Sequence, residues 1–376
     1  MNSKISQFLA NNALSTPCLV VDVEQVENNY RNLQHALPKA HIYYAVKANP
    51  ARAILSKLVS NRSFFDAASW EEIQQCINAG AKPKHISFGN TIKKTSSIQQ
   101  AHQIGIEMYV FDSIEELHKI AEHAPKSKVY CRILVDNQGA DWPLSSKFGT
   151  TNAYAIELLI KAKTLGLHPY GVSFHVGSQQ TDPRAYASAI RQSAKVFQGL
   201  AKHNIYLEMI NLGGGFPITY CETVPTIEEF AKTIRSALNE HFPHIMPRII
   251  LEPGRFIVGN AGVISTEVIL ASHRGNINSP KWIYLDIGRF GGLAETEGEA
   301  IRYPIETPYD GLKTEPVIIA GPSCDGVDIL YQKSNYTLPL TLTAGDCISL
   351  LSTGAYVSTY CSTQFNGFAP LKEYYI

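Results

Sequence analysis

The chain has 376 residues, 45% of them hydrophobic and 18% charged, with 33 basic and 33 acidic side chains. That balance suits a globular protein with room for two domains; it offers no basic surface for nucleic acid, and no apolar run approaches the ~20 residues needed to cross a bilayer. The seven cysteines are odd in number, widely spaced and free of any Cys-x-x-Cys pair. This argues against a disulfide framework and against a zinc site, so a reducing cytoplasm is the expected compartment.

The first strand-like segment is Thr16 to Asp22. A regular alternation follows, with strand-like runs beginning near Ile42, Phe64, Ile86, Met108 and Val129. The first four recur at roughly 22 residues, about one strand–helix unit each. Three more runs, near Tyr170, Glu208 and Arg248, bring the number to that of a closed (β/α)8 barrel. Ser69 to Glu72, Ser113 to Glu116 and Thr226 to Glu229 each read as a capping box that starts a helix, and Gly80 and Gly166 as helix stops. After Gly262 the rhythm changes: residues 263–271, 281–287, 316–320, 336–342 and 347–351 read as strands between Gly, Pro and Asn. The expected fold is α/β: a (β/α)8 barrel over residues 23–262, then an all-β domain of residues 263–376 that the segment 1–22 joins.

Alternation of side chains selects the residues that face into the barrel. In Ile42-Tyr43-Tyr44-Ala45-Val46-Lys47, one face carries Ile42, Tyr44 and Val46, the other Tyr43, Ala45 and Lys47. A lysine after an apolar run most often snorkels to solvent. Held instead among apolar neighbours it is poorly solvated and readily deprotonated, which suits Schiff-base chemistry. In Gly171 to Gly177, Val172, Phe174 and Val176 alternate with Ser173 and His175, so the imidazole of His175 is expected on the inner face near the strand's C-terminal end, where barrels build active sites. Gly213, Gly214 and Gly215 after the seventh strand offer backbone amides to an anion, and Glu252-Pro253-Gly254-Arg255 after the eighth adds a guanidinium. A tight turn alone would also explain the three glycines. Lysine, histidine, glutamate and an anion cradle at one mouth suit pyridoxal phosphate, giving its aldehyde, ring face, ring nitrogen and phosphate a partner each.

These residues lie in motifs that extend over nearly the whole chain: Tyr44 to Asn49, Phe65 to Ser69, Ser173 to Ser178, Gly213 to Pro217, Glu252 to Arg255, Gly321-Pro322-Ser323-Cys324-Asp325-Gly326, Gly354-Ala355-Tyr356 and Phe365 to Phe368. In them the chain resembles the pyridoxal-phosphate-dependent decarboxylases of the alanine-racemase-like fold, and among these it is most similar to the ornithine decarboxylases, with diaminopimelate and arginine decarboxylases as relatives. The resemblance implies that Lys47 forms the Schiff base, His175 stacks on the cofactor ring and Glu252 pairs with the ring nitrogen. It implies phosphate contacts from Ser178, Gly214, Gly254, Arg255 and Tyr356, and a cofactor-site role for Asp66. It further implies a homodimer with shared active sites, in which Cys324 of the partner protonates the α-carbon and Asp325 helps to hold the substrate's distal amine.

A distal ammonium calls for carboxylates, whereas the distal carboxylate of diaminopimelate would call for arginine. Asp325 follows the ornithine-type pattern. The second acidic contact of such enzymes falls on Glu299, one methylene longer than the family's aspartate. Pro143 stands where several relatives carry an arginine, and Phe256 to Gly262 is similar to the diaminopimelate branch. The expected activity is decarboxylation of a basic L-amino acid, L-ornithine first, to putrescine for polyamine biosynthesis. Lysine or diaminopimelate decarboxylation stands as the alternative substrate reading. A racemase would need a second acid/base, usually tyrosine, where Cys324 stands, and a non-catalytic regulator would not need the intact Lys47, His175, Glu252 and Cys324 set.

Overall fold

A computed structural model describes residues 3–136, 138–142, 147–275, 279–362 and 364–376. The chain divides into two compact units, one of residues 27–217 and 224–257, the other of residues 1–26, 218–223 and 258–376.

The first unit is a barrel of parallel strands: β2 (Ala40–Ala45), β3 (Phe64–Ala67), β4 (Ile86–Phe88), β5 (Met108–Phe111), β6 (Lys128–Arg132), β7 (His168–Ser173), β8 (Met209–Asn211) and β9 (Arg248–Leu251). Neighbours pair in sequence order, and β9 closes on β2 through Leu251 opposite Ile42. The expected barrel is therefore present, each strand within two residues of its sequence-predicted start. Its interior is filled by Tyr43, Met108, Val110, Tyr130, Tyr170, Met209 and Ile250, which pack together from facing strands. Tyr43 thus lies on the inward face that alternation assigns to it.

The helix starts require one correction. Only Thr226 and Glu229 form the full reciprocal box, with the Thr226 side chain capping Glu229 and the Glu229 carboxylate returning to the Thr226 amide. Ser69 and Ser113 cap the amides of Glu72 and Glu116, but those glutamates turn elsewhere. Glu72 accepts from the Ala68 amide at 2.7 Å, and Glu116 pairs with the buried Lys93 at 2.9 Å and with Lys119 at 2.6 Å. Burial explains the Glu116 choice. An ammonium with no solvent access must keep a carboxylate beside it, and even so burial lowers the Lys93 amine to about 8.

The second unit is built on a mixed sheet. Here β1 (Cys18–Val21) lies between β10 (Gly262–His273), antiparallel, and β17 (Lys372–Tyr375), parallel. The sheet continues through β11 (Lys281–Leu285), β12 (Ile305–Glu306), β13 (Thr314–Ala320), β14 (Ile329–Tyr331), β15 (Thr337–Pro339) and β16 (Cys347–Leu351). A helix absent from the sequence reading, Ser3–Asn11, covers one end of it: Ile5 is fully buried with Val20 and Val263, and Phe8, Leu9 and Tyr374 pack around them. All seven cysteines are free. Among the described residues no helix is long and apolar enough to cross a membrane.

Candidate active site

Strand β2 ends at Ala45, two residues earlier than alternation alone implies, and Lys47 sits in the short 3-10 turn Val46–Ala48 that follows. Apolar Val46 and Ala48 are buried on either side while Lys47 is exposed towards the barrel mouth. Two carboxylates share its neighbourhood. Asp66 leaves the inner face of β3, accepts from Ser87 Oγ at 3.1 Å and is buried; Glu252 follows β9 and accepts from Asn211 Nδ2. Asn211 is itself oriented, because its Oδ1 takes the Gly213 amide at 2.9 Å. Burial raises the pKa of both acids, and the pair repels; Asn211, Lys47 and Arg132 offset part of the effect at Glu252, which still reaches about 8. A cationic group brought against Glu252 would return it to the anionic form.

His175 lies two residues beyond the end of β7 rather than on the strand. Its Nδ1 accepts the Gly177 amide at 3.0 Å, which leaves the proton of the neutral ring on Nε2. Burial first, then Arg132 and Lys47, hold the imidazole well below its ordinary pKa, so it remains a neutral, flat surface.

The anion cradle is assembled at the same end of the barrel. The Gly213–Gly215 loop packs so closely that a Cβ on Gly214 would collide with the Glu252 carbonyl, and Tyr186 donates its hydroxyl to the Gly214 carbonyl at 2.8 Å. Close packing therefore demands glycine there on its own account. What points to an anion is Arg255, just after Gly254: it is 3% exposed and donates from Nε at 3.3 Å and Nη2 at 3.0 Å to Ser178 Oγ. A buried guanidinium fork shared with a hydroxyl fits a phosphate. The donor set, the neutral ring of His175, the oriented acid Glu252 and Lys47 fit pyridoxal phosphate.

Sequence reasoning missed Arg132, the last residue of β6, whose charge acts on Glu252, Asp66 and His175 alike. The signal was available: in Val129-Tyr130-Cys131-Arg132, the arginine shares the inward face of Tyr130 at a strand's C-terminal end. Pro143 lies outside the described residues.

The other candidates belong to the second unit. Cys324 and Asp325 are exposed in the turn after β13; the Cys324 amide donates to Asn366 Oδ1 at 3.0 Å, and Asp325 Oδ1 accepts from Val327 at 3.0 Å. Tyr356 is at φ 56° in the turn after β16. Glu299 lies in the same unit. Its carboxylate accepts the Gln332 and Lys333 amides, each at 2.7 Å, and the Ser334 hydroxyl. With both oxygens engaged it anchors the 332–334 loop.

The description "pyridoxal-dependent decarboxylase, pyridoxal binding domain" matches residues 23–259. The lysine/ornithine decarboxylase of Selenomonas ruminantium is 32% identical over 357 residues, 94% of this chain and 88% of that protein. The ornithine decarboxylase of Mus pahari is 33% identical over 372 residues (95% and 80%), and antizyme inhibitor 2 of Xenopus laevis 31% over 371 residues (95% and 80%). The structure of the Paramecium bursaria Chlorella virus arginine decarboxylase superposes with a TM-score of 0.91 at 30% identity, covering all of both chains. The chain belongs to the pyridoxal-dependent decarboxylases.

Proposed function

We propose that the protein decarboxylates a basic L-amino acid, with L-ornithine the preferred substrate and putrescine the product. The observation that carries this reading is the oriented Glu252 beside Asp66 and Lys47, at the same barrel mouth as the neutral His175 and the Arg255–Ser178 pair. Similarity to proteins named lysine/ornithine and ornithine decarboxylase supports the substrate class.

Bound pyridoxal phosphate supplies an aldehyde that captures the substrate amine and a ring that accepts the electron pair when carbon dioxide leaves. In our reading Lys47 would hold the cofactor at its aldehyde. His175 covers the ring face, which its neutrality favours because a cation there would oppose the ring's protonation. Glu252, oriented by Asn211, keeps a negative charge against the ring nitrogen. Ser178, Arg255, Gly254, the Gly213–Gly215 amides and Tyr356 hold the phosphate, and Asp66 and Arg132 balance the charge of the mouth. In a homodimer, Cys324 of the partner gives the α-carbon the proton that replaces carbon dioxide, and its Asp325 faces the distal ammonium. The overall change consumes one proton and yields a diamine and carbon dioxide.

The test is carbon dioxide release with product identification, using purified protein, pyridoxal phosphate and, separately, L-ornithine, L-lysine, L-arginine and meso-diaminopimelate. Putrescine as the dominant product supports the reading; cadaverine, agmatine or lysine would move the enzyme to a sister activity. Cofactor binding without carbon dioxide from any of the four would keep the cofactor reading and remove the substrate, whereas a purified protein that neither binds pyridoxal phosphate nor releases carbon dioxide would favour a non-catalytic regulator.

A further inference from the structure

In the second unit the turn that carries Cys324 and Asp325 is held by a side chain with no assigned role. Asp328 is 3% exposed. Its Oδ1 accepts the Arg289 amide at 2.8 Å and its Oδ2 the Ser323 amide at 3.1 Å. Its own backbone closes the turn: the Gly321 amide donates to the Asp328 carbonyl at 2.8 Å, and the Asp328 amide to the Asp325 carbonyl at 3.1 Å.

The carboxylate also fills the gap between two segments. A Cβ on Gly288, in the corner after β11, would collide with the Asp328 carboxylate, and a Cβ on Gly321 would collide with that carboxylate and with the Gly288 backbone. The two glycines thus let the chains approach until one buried acid reaches an amide from each. A third segment is joined to them, since Asn366 accepts the Cys324 amide at 3.0 Å and the Phe365 ring packs on Phe290 with centroids 4.4 Å apart. Three loops meet around one acid.

We propose that Asp328 is a positioning residue, whose carboxylate fixes the Gly321–Asp325 turn and so the direction in which Cys324 and Asp325 are presented. This rests on the reading of Cys324 as the proton donor. A carboxylate bound to backbone amides holds such a turn well, because one buried group accepts from two part-buried N–H groups on different segments, and no counter-ion that could move away is needed. Asparagine can keep one of those acceptors but turns a donor towards the other amide. Misplacing a reacting group by about 1 Å costs about 10²-fold in rate.

The experiment compares Asp328→Asn, Gly288→Ala and Cys324→Ala with wild type, all as loaded holoenzyme. Two readouts are taken: the split between kcat and KM, and the alkylation rate of Cys324 relative to exposed Cys347, by peptide mass spectrometry. Asp328→Asn should lower kcat about 10-fold or more at unchanged cofactor occupancy and shift Cys324 alkylation several-fold while Cys347 stays constant. Gly288→Ala, which displaces the acid without removing it, should do the same. Unchanged alkylation in both variants would overturn the proposal, as would a kcat that falls only with the folded fraction. Full turnover by Cys324→Ala would instead remove the proton-donor role, and the alkylation rates would still decide whether Asp328 positions the turn.

Discussion

The backbone amide of Gly177 donates to Nδ1 of His175 across 3.0 Å. This bond fixes the tautomer and the plane of a ring that burial already keeps neutral. A ring used as a flat cover rather than as a proton carrier should be replaceable by another aromatic. His175→Phe is expected to keep cofactor affinity within a few-fold of wild type, whereas His175→Ala should weaken it about 10-fold or more. Titration of the apoprotein with pyridoxal phosphate, followed by absorbance, decides; equal losses in the two variants would mean that the imidazole nitrogens, not the ring face, matter.

Arg255 tests the anion cradle. The fork it makes with Ser178 is geometric as well as electrostatic, so lysine should not replace it. Arg255→Lys and Arg255→Met are both expected to weaken cofactor binding by about 10- to 100-fold, with an intact fold by circular dichroism. Equilibrium dialysis of the cofactor measures this, and wild-type affinity in the lysine variant would show that charge alone suffices.

The barrel was legible because the roughly 22-residue spacing of the first four runs reports a strand–helix unit directly, and eight strand-like runs in all leave few closed arrangements. The inward face of β2 was legible from alternation, but the same rule carried too far, since it continued the strand through Lys47 and His175 where the backbone turns. Chain reversal at strand ends depends on loop packing that a two-residue period does not contain. The helix Ser3–Asn11 escaped because its apolar face is short, and it is stabilised by Val20, Val263 and Tyr374, residues far away in sequence. Glu72 and Glu116 read as capping glutamates, and only the folded chain brings Lys93 to Glu116.

The buried acid Glu252 predicts a pH dependence of opposite sign to that of an ordinary ion-paired carboxylate. Its pKa is raised to about 8 in the folded apoprotein, first by burial and then by Asp66, so the folded state binds this proton more tightly than the unfolded chain, whose carboxyl titrates near its ordinary value of 4.5. The stabilisation it confers is full below that unfolded value and is lost as the pH rises through about 8. Glu252→Gln keeps an oxygen to accept from Asn211 but cannot titrate. The apoprotein variant should therefore gain in Tm relative to wild type between about pH 5 and about pH 8. A constant difference in Tm across that range would mean that Glu252 is already ionised in the folded apoprotein.

Glu299 separates an anchoring role from a substrate contact. Its backbone is held at φ 60°, and its carboxylate gathers the amides of Gln332 and Lys333 and the hydroxyl of Ser334. These hydrogen bonds hold its pKa below the usual carboxylate value against the opposing effect of burial, as expected of an acid that must be charged to serve its neighbours. Glu299→Gln replaces one acceptor by a donor that faces an N–H or hydroxyl, so the 332–334 loop should loosen and Tm should fall by roughly 2–4 °C. The KM for the amino-acid substrate should stay within about two-fold of wild type, because both oxygens are already committed to the loop. A large rise in KM at unchanged Tm would reverse this assignment: Glu299 would then release the loop to meet the substrate's distal amine, and Asp325 would no longer be the leading acid for that contact.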